Sequence, residues 1–244
     1  MPLSAKKVNY SIGANTGFAP SLGGNLDSTS QQLYFNSDSG IDGMNRSMEG
    51  METKKINRLF GITGGFEFKT IIQDFYLIRL GANFSKGILG GEGKTVIPDG
   101  TGYYYTMECK YSFYEYDVPL TIGLAIPFWK DMMISLSCGT AFAYAEYKNE
   151  FISEDTYPDP FERKGEFKGW GFPLVVIIQG EYFFLTNASI TSTISYYNGS
   201  TEVLKDSYDK DTEGFGGQGA VDFAAINFTG YRFTFGISYY FFSI

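Results

Sequence analysis

The chain has 244 residues, of which 43% are hydrophobic and 18% aromatic, with a net charge of −8 and no histidine. One domain is enough for this length, the acidic balance leaves no basic patch for a nucleic-acid backbone, and no apolar run approaches the roughly 18 residues of a spanning helix. The longest such run, Trp170 to Ile178, is already broken by Gly171 and Pro173, whereas 19 Tyr, 23 Phe and 30 Gly suit aromatic girdles around a tightly filled barrel.

In chain order, Val8, Tyr10, Ile12 and Ala14 alternate with Asn9, Ser11, Gly13 and Asn15, which predicts a first strand with one apolar and one small polar face. No signal peptide is read before it; Met1 to Ala5 reads as a start or a processing scar on a mature chain, and export is an expectation from the pattern that follows. Periodicity is lost over about 19–53, a Gly/Ser/Asn/Asp-rich stretch too long for a compact-domain connection but ordinary for an external barrel loop. The second strand sets Ile56, Phe60, Ile62, Phe66 and Phe68 against Asn57, Gly61, Thr63, Gly65 and Glu67, and turns near Gln73-Asp74. A third places Tyr76, Ile78, Leu80, Ala82 and Phe84 outward and Arg79, Gly81 and Asn83 inward, before a second long loop at about 85–102.

The fourth strand, roughly Tyr103 to Ile126, has Tyr114, Tyr116, Val118, Leu120, Ile122, Leu124 and Ile126 opposite Glu115, Asp117, Thr121, Gly123 and Ala125. Pro119 lacks a ladder donor, so a bulge or weakened pairing is expected there. Its segment Glu115-Tyr116-Asp117-Val118-Pro119-Leu120 resembles the acidic-apolar-Pro-Leu run of small outer-membrane barrels of the OmpA/OmpX/OmpW-like, porin-family type. After a turn at 127–131, the fifth strand sets Met132, Ile134, Leu136, Phe142 and Tyr144 against Ser135, Ser137, Gly139, Ala141 and Ala143.

An acidic third loop is expected at about 148–168. A sixth strand begins at Trp170, with Gln179 and Glu181 inward, and a seventh runs from Ala188 to Tyr197 with an inner row of Ser189, Thr191, Thr193 and Ser195. A fourth loop at about 198–224 leads to the last strand, where Tyr231, Phe233, Phe235, Ile237, Tyr239 and Phe241 alternate with Arg232, Thr234, Gly236 and Ser238. This C-terminal strand resembles the assembly signal of bacterial outer-membrane barrels in its Thr234, Gly236, Tyr239 and Phe241.

These elements predict an all-β fold: one transmembrane up-and-down antiparallel β-barrel over 1–244, of eight strands, with connections alternating long and short. A split of the fourth strand at Ser112 would make ten. The resemblance implies residence in the bacterial outer membrane, contact with its lipid and a lipopolysaccharide-type surface, and handling by the barrel-assembly machinery. It further implies a non-enzymatic role in envelope structure or interaction through the loops; the alternative is a narrow channel for ions or small hydrophobic molecules. Outer-membrane phospholipases, deacylases and omptin-like proteases use His, so with none present an enzyme is not expected.

Bound cofactors and metals are not expected either. Gly90-Gly91-Glu92-Gly93-Lys94-Thr95 ends like a phosphate loop but lacks its spacing and its helix. Asp209 to Gly214 has the first half of an EF-hand loop, yet the twelfth position is Ala220, so a solvated charge run is the better reading. Trp129 and Trp170 read as interface anchors. Cys109 and Cys138 would lie far apart on neighbouring strands and on opposite faces, which argues against a disulfide. The inward charges Glu67, Arg79, Glu115, Asp117, Glu181 and Arg232 should meet one another, because an unpaired charge in a narrow barrel is costly. Counting from the turns sets Glu67 beside Arg79, and Asp117 level with Arg232.

Overall fold

A computed structural model describes residues 8–22, 52–54, 59–89, 92–98, 104–154, 161–201, 205–206 and 228–242. Twelve strands occur among them: β1 (Val8–Leu22), β2 (Glu52–Lys54), β3 (Leu59–Ile72), β4 (Tyr76–Leu89), β5 (Glu92–Pro98), β6 (Tyr104–Trp129), β7 (Met132–Glu154), β8 (Phe161–Gly171), β9 (Leu174–Leu185), β10 (Ala188–Asn198), β11 (Lys205–Asp206) and β12 (Gly230–Phe242). Eight of them close on themselves in the order β1-β3-β4-β6-β7-β9-β10-β12, every pair antiparallel, and the β1–β12 ladder joins the two ends of the chain. The fold is therefore a closed eight-stranded up-and-down barrel, and the fourth predicted strand is unsplit as β6.

Alternation sets the faces. Ile122 is 65% exposed on the outside, whereas Glu181 is 2% exposed on the inside, the reverse of a soluble protein. Leu120, Leu124, Ile134 and Leu136 share the outer face. Aromatic side chains crowd the two ends of this apolar belt, Tyr76, Trp129, Phe184 and Phe241 near the short turns and Phe18, Phe84, Trp170 and Tyr231 at the other end.

Local sequence explains the short turns. Gln73 and Asp74 both have positive φ, 54° and 57°, and the Phe75 N–H closes the turn on the Ile72 carbonyl at 3.1 Å, the two-residue geometry that matches strand twist. Lys130-Asp131 and Thr186-Asn187 make the other two, so the turn after β6 is shorter than the expected 127–131. Pro119 interrupts the β4–β6 ladder, which skips from Leu80–Leu120 to Asn83–Asp117. Gly123 and Gly139 allow β6 and β7 to approach closely: a Cβ at either would lie 2.0 or 2.1 Å from the facing backbone carbonyl, of Leu136 or Leu120.

The long connections differ from the expectation. β1 runs on to Leu22; the segment expected as a loop at 85–102 carries the end of β4 and all of β5; and 148–168 carries the end of β7 and most of β8. The expected sixth strand is divided by Pro173, so Trp170 belongs to β8 and pairs with Tyr144 of β7. β6 has 26 residues and β7 has 23, more than twice the roughly 10 that cross a membrane. Beyond Tyr114, β5 replaces β4 as the neighbour of β6, and beyond Ala143, β8 replaces β9 as the neighbour of β7. With β2 and β11 at its edges, this makes a six-stranded sheet, and its β6 portion from Tyr104 to Phe113 reaches roughly 30 Å past the barrel wall. Across it Glu146 of β7 lies opposite Lys168 of β8, an oppositely charged cross-strand pair.

Candidate functional site

The barrel interior is layered. Near the short turns Ile71, Leu77, Ala125, Met133 and Tyr240 pack into a buried apolar plug with Phe183 against it. Next comes a charged layer around Lys69, which is 1% exposed. Its Nζ donates to Glu181 Oε1 at 2.6 Å, Gln179 Oε1 at 3.1 Å and Ser238 Oγ at 3.2 Å, and lies 3.3 Å from Glu67 Oε1. The Arg79 guanidinium donates to Gln179 Oε1 at 2.8 Å and Ser135 Oγ at 3.1 Å, with Nε 3.5 Å from Glu67 Oε2. Gln179 passes both ends of its amide into the layer, because its Nε2 donates to Glu67 Oε1 at 3.0 Å and Thr193 Oγ1 at 2.9 Å. Glu181 Oε2 accepts from Tyr240 at 2.7 Å and Ser189 at 2.9 Å. Two cations and two anions cancel here, and each carboxylate keeps several donors, the condition under which buried charge is tolerated.

A second charged layer centres on Arg232. Its Nη1 donates to Asp117 Oδ2 at 2.5 Å, its Nη2 donates to Glu115 Oε1, and the guanidinium lies 3.7 Å from the centre of the Tyr197 ring. Asp117 Oδ1 also accepts from Tyr197 Oη at 2.9 Å and Asn83 Nδ2 at 2.8 Å. Apolar side chains close this end too, with Ala141, Val175, Ile177 and Tyr197 in one buried cluster and Leu22, Leu59 and Phe113 buried beyond it. Between the charged layers lies a cavity of about 30 Å³ lined by Thr63, Glu67, Arg79, Asn83, Thr193, Ser195, Arg232 and Thr234, room for a few waters at most.

All six charges singled out from the sequence thus point inward: Glu67 and Arg79 in the first layer with Glu181, and Glu115, Asp117 and Arg232 in the second. Sequence reasoning omitted Lys69, the hub of the first layer, and the tyrosines Tyr197 and Tyr240; the signal was there in their parity with Glu67, Ser195 and Ser238. Of the assembly-signal residues, Thr234 and Gly236 face inward, and Tyr239 and Phe241 stand exposed on the outer face. Glu92 to Thr95 lie in β5, a strand rather than a phosphate loop, and Asp209 to Ala220 lie outside the described residues. Cys109 pairs with Phe151 and Cys138 with Ile122, so the register separates them, and Cys138 is a free thiol on the outer face.

No protein-family model and no curated protein matches the sequence. Among solved structures, the chain is similar to the outer membrane protein OprG of Pseudomonas aeruginosa, at 9% identity and a TM-score of 0.47 over 99% of each chain. It is also similar to a major outer membrane protein of Thermus thermophilus, at 12% identity and a TM-score of 0.47 over 97% of this chain and 100% of that one. The outer membrane protease OmpT of Escherichia coli is similar at 13% identity and a TM-score of 0.33, over 98% of each chain. All three are outer-membrane proteins. The barrel assignment itself rests on the chain's own ladders.

Chemically, the interior is two layers of ion pairs between two apolar caps, with Arg79 Nε left without a hydrogen-bond acceptor. Among the described residues no group of three or more His, Cys, Asp or Glu could hold a metal ion. The buried carboxylates already accept from Lys69, Arg79, Arg232, Gln179 and the tyrosines, an arrangement that holds strands together.

Proposed function

We propose that the protein is a non-enzymatic barrel of the bacterial outer membrane, which carries the β5–β8 sheet and its connecting segments beyond the bilayer to contact envelope or external partners. The observation that carries this reading is the filled interior: charges paired across the bore, capped at both ends by apolar side chains, around a cavity of about 30 Å³. A barrel closed in this way serves as an anchor, and β6 and β7, at more than twice the length a bilayer needs, supply what is anchored. The chain's lack of histidine supports the non-enzymatic reading, since omptin-like proteolysis depends on one.

The second reading, a narrow channel, has one feature in its favour, the polar cavity between the charged layers. Conduction would require the Lys69 and Arg232 layers and both apolar caps to part. Deletion of residues 24–48 tests the anchor reading: the shortened chain should still fold into lipid vesicles while losing surface interactions. Failure to insert would make that segment a part of the barrel and remove the basis for treating it as a display loop.

A further inference from the structure

We propose that the outer face just beyond the upper aromatic row is a binding surface for the phosphate of an anionic lipid headgroup, with Lys86, Lys148 and Lys168 as its cations. The inference rests on the membrane reading above, and the register carries it. Phe84, Tyr116, Tyr144 and Trp170 are cross-strand neighbours on β4, β6, β7 and β8, and form one aromatic row across the outer face. Two residues further along the same strands the outward row is Lys86, Tyr114, Glu146 and Lys168, and Lys205 of β11 pairs with Lys168. In the row beyond that, Lys148 stands opposite Glu166.

Among the described side chains, these two rows bring Lys86, Lys148 and Lys168 against Glu146, in a chain whose net charge is −8. Lys86 and Lys168 are exposed, as is Lys148 at 49%. Lys86 lies 5.4 Å from the centre of the Tyr114 ring and Lys148 bonds Glu146 at 2.8 Å, so the ammonium groups are held at the surface by local contacts. Moving outward along the strands, the surface passes from the aliphatic belt to the aromatic row and then to a basic row. A bilayer has the same succession, from acyl chains through the interface to headgroup phosphates. Long lysine stems can lie along the aromatic row with their charges at phosphate depth.

Lipid selectivity of the full chain in phosphatidylcholine vesicles tests this, read as the motionally restricted fraction of spin-labelled phosphatidylglycerol against that of spin-labelled phosphatidylcholine. The wild type should restrict phosphatidylglycerol preferentially. The triple variant Lys86→Gln, Lys148→Gln, Lys168→Gln should lose that preference by about tenfold or more, since each surface lysine is worth roughly fivefold. Arginine at the same three positions should keep it, as should Lys130→Gln at the opposite end of the barrel. Absence of a preference in the wild type, or its survival in the triple Gln variant, would overturn the assignment. So would its displacement by inorganic phosphate at matched ionic strength, which would assign the patch to a soluble anion. A chain that restricts neither lipid would overturn the membrane reading beneath it.

Discussion

The two charged layers of the interior do similar work by different construction. Around Lys69 two cations meet two anions, and Gln179, Ser189 and Tyr240 supply further donors, so no single side chain holds the layer alone. Around Arg232 one cation faces two carboxylates, and Glu115 has the guanidinium as its hydrogen-bond donor while Asp117 has three donors. The contrast teaches that burial of charge in a narrow barrel can be secured by redundancy or by one guanidinium, and that the second route concentrates the risk in one residue.

The largest expected effect breaks the concentrated layer. Arg232→Ala strands two buried carboxylates and should cost roughly 3–5 kcal/mol in urea unfolding from lipid vesicles. On the outer wall, Ile122→Arg provides an external scale: an arginine near mid-bilayer should cost roughly 2–4 kcal/mol, and tolerance there with intolerance of Arg at Gly123 would reverse the two faces. Lys69→Met should cost less than Arg232→Ala, roughly 1–3 kcal/mol, because Glu181 keeps Tyr240 and Ser189 and Glu67 keeps Gln179. Equal losses at Lys69 and Arg232 would erase the distinction between the layers. Smallest of all, Tyr240→Phe removes one hydroxyl from Glu181 while keeping the ring in the apolar plug, at roughly 1–2 kcal/mol in the same assay.

The barrel was legible because lipid and lumen impose opposite demands on alternate residues. A row such as Leu120, Ile122, Leu124 against Thr121, Gly123 and Ala125 has one reading as a strand and assigns its own faces. Two features hid from that logic. The apolar plug uses doublets at strand ends, Ile71-Ile72, Met132-Met133 and Tyr239-Tyr240, where both faces carry bulky side chains and the alternation vanishes. The sheet beyond the bilayer hid because nothing there demands an outward apolar row: Glu162, Lys164, Glu166 and Lys168 read as an acidic loop until the register sets them opposite Ile152, Glu150, Lys148 and Glu146. Lys69 was missed for a simpler reason. It lies within a few residues of the turn at Gln73-Asp74, one step along the inward face beyond Glu67, where the alternating pattern runs out.

Single-channel conductance in planar bilayers tests the closed interior most directly, comparing the parent with Arg232→Ala and Asp117→Ala. Two apolar caps and two paired layers predict a parent without a steady open state, and variants that either remain silent or show only small, brief openings as the second layer loosens. A parent that passes large ions freely would contradict the account.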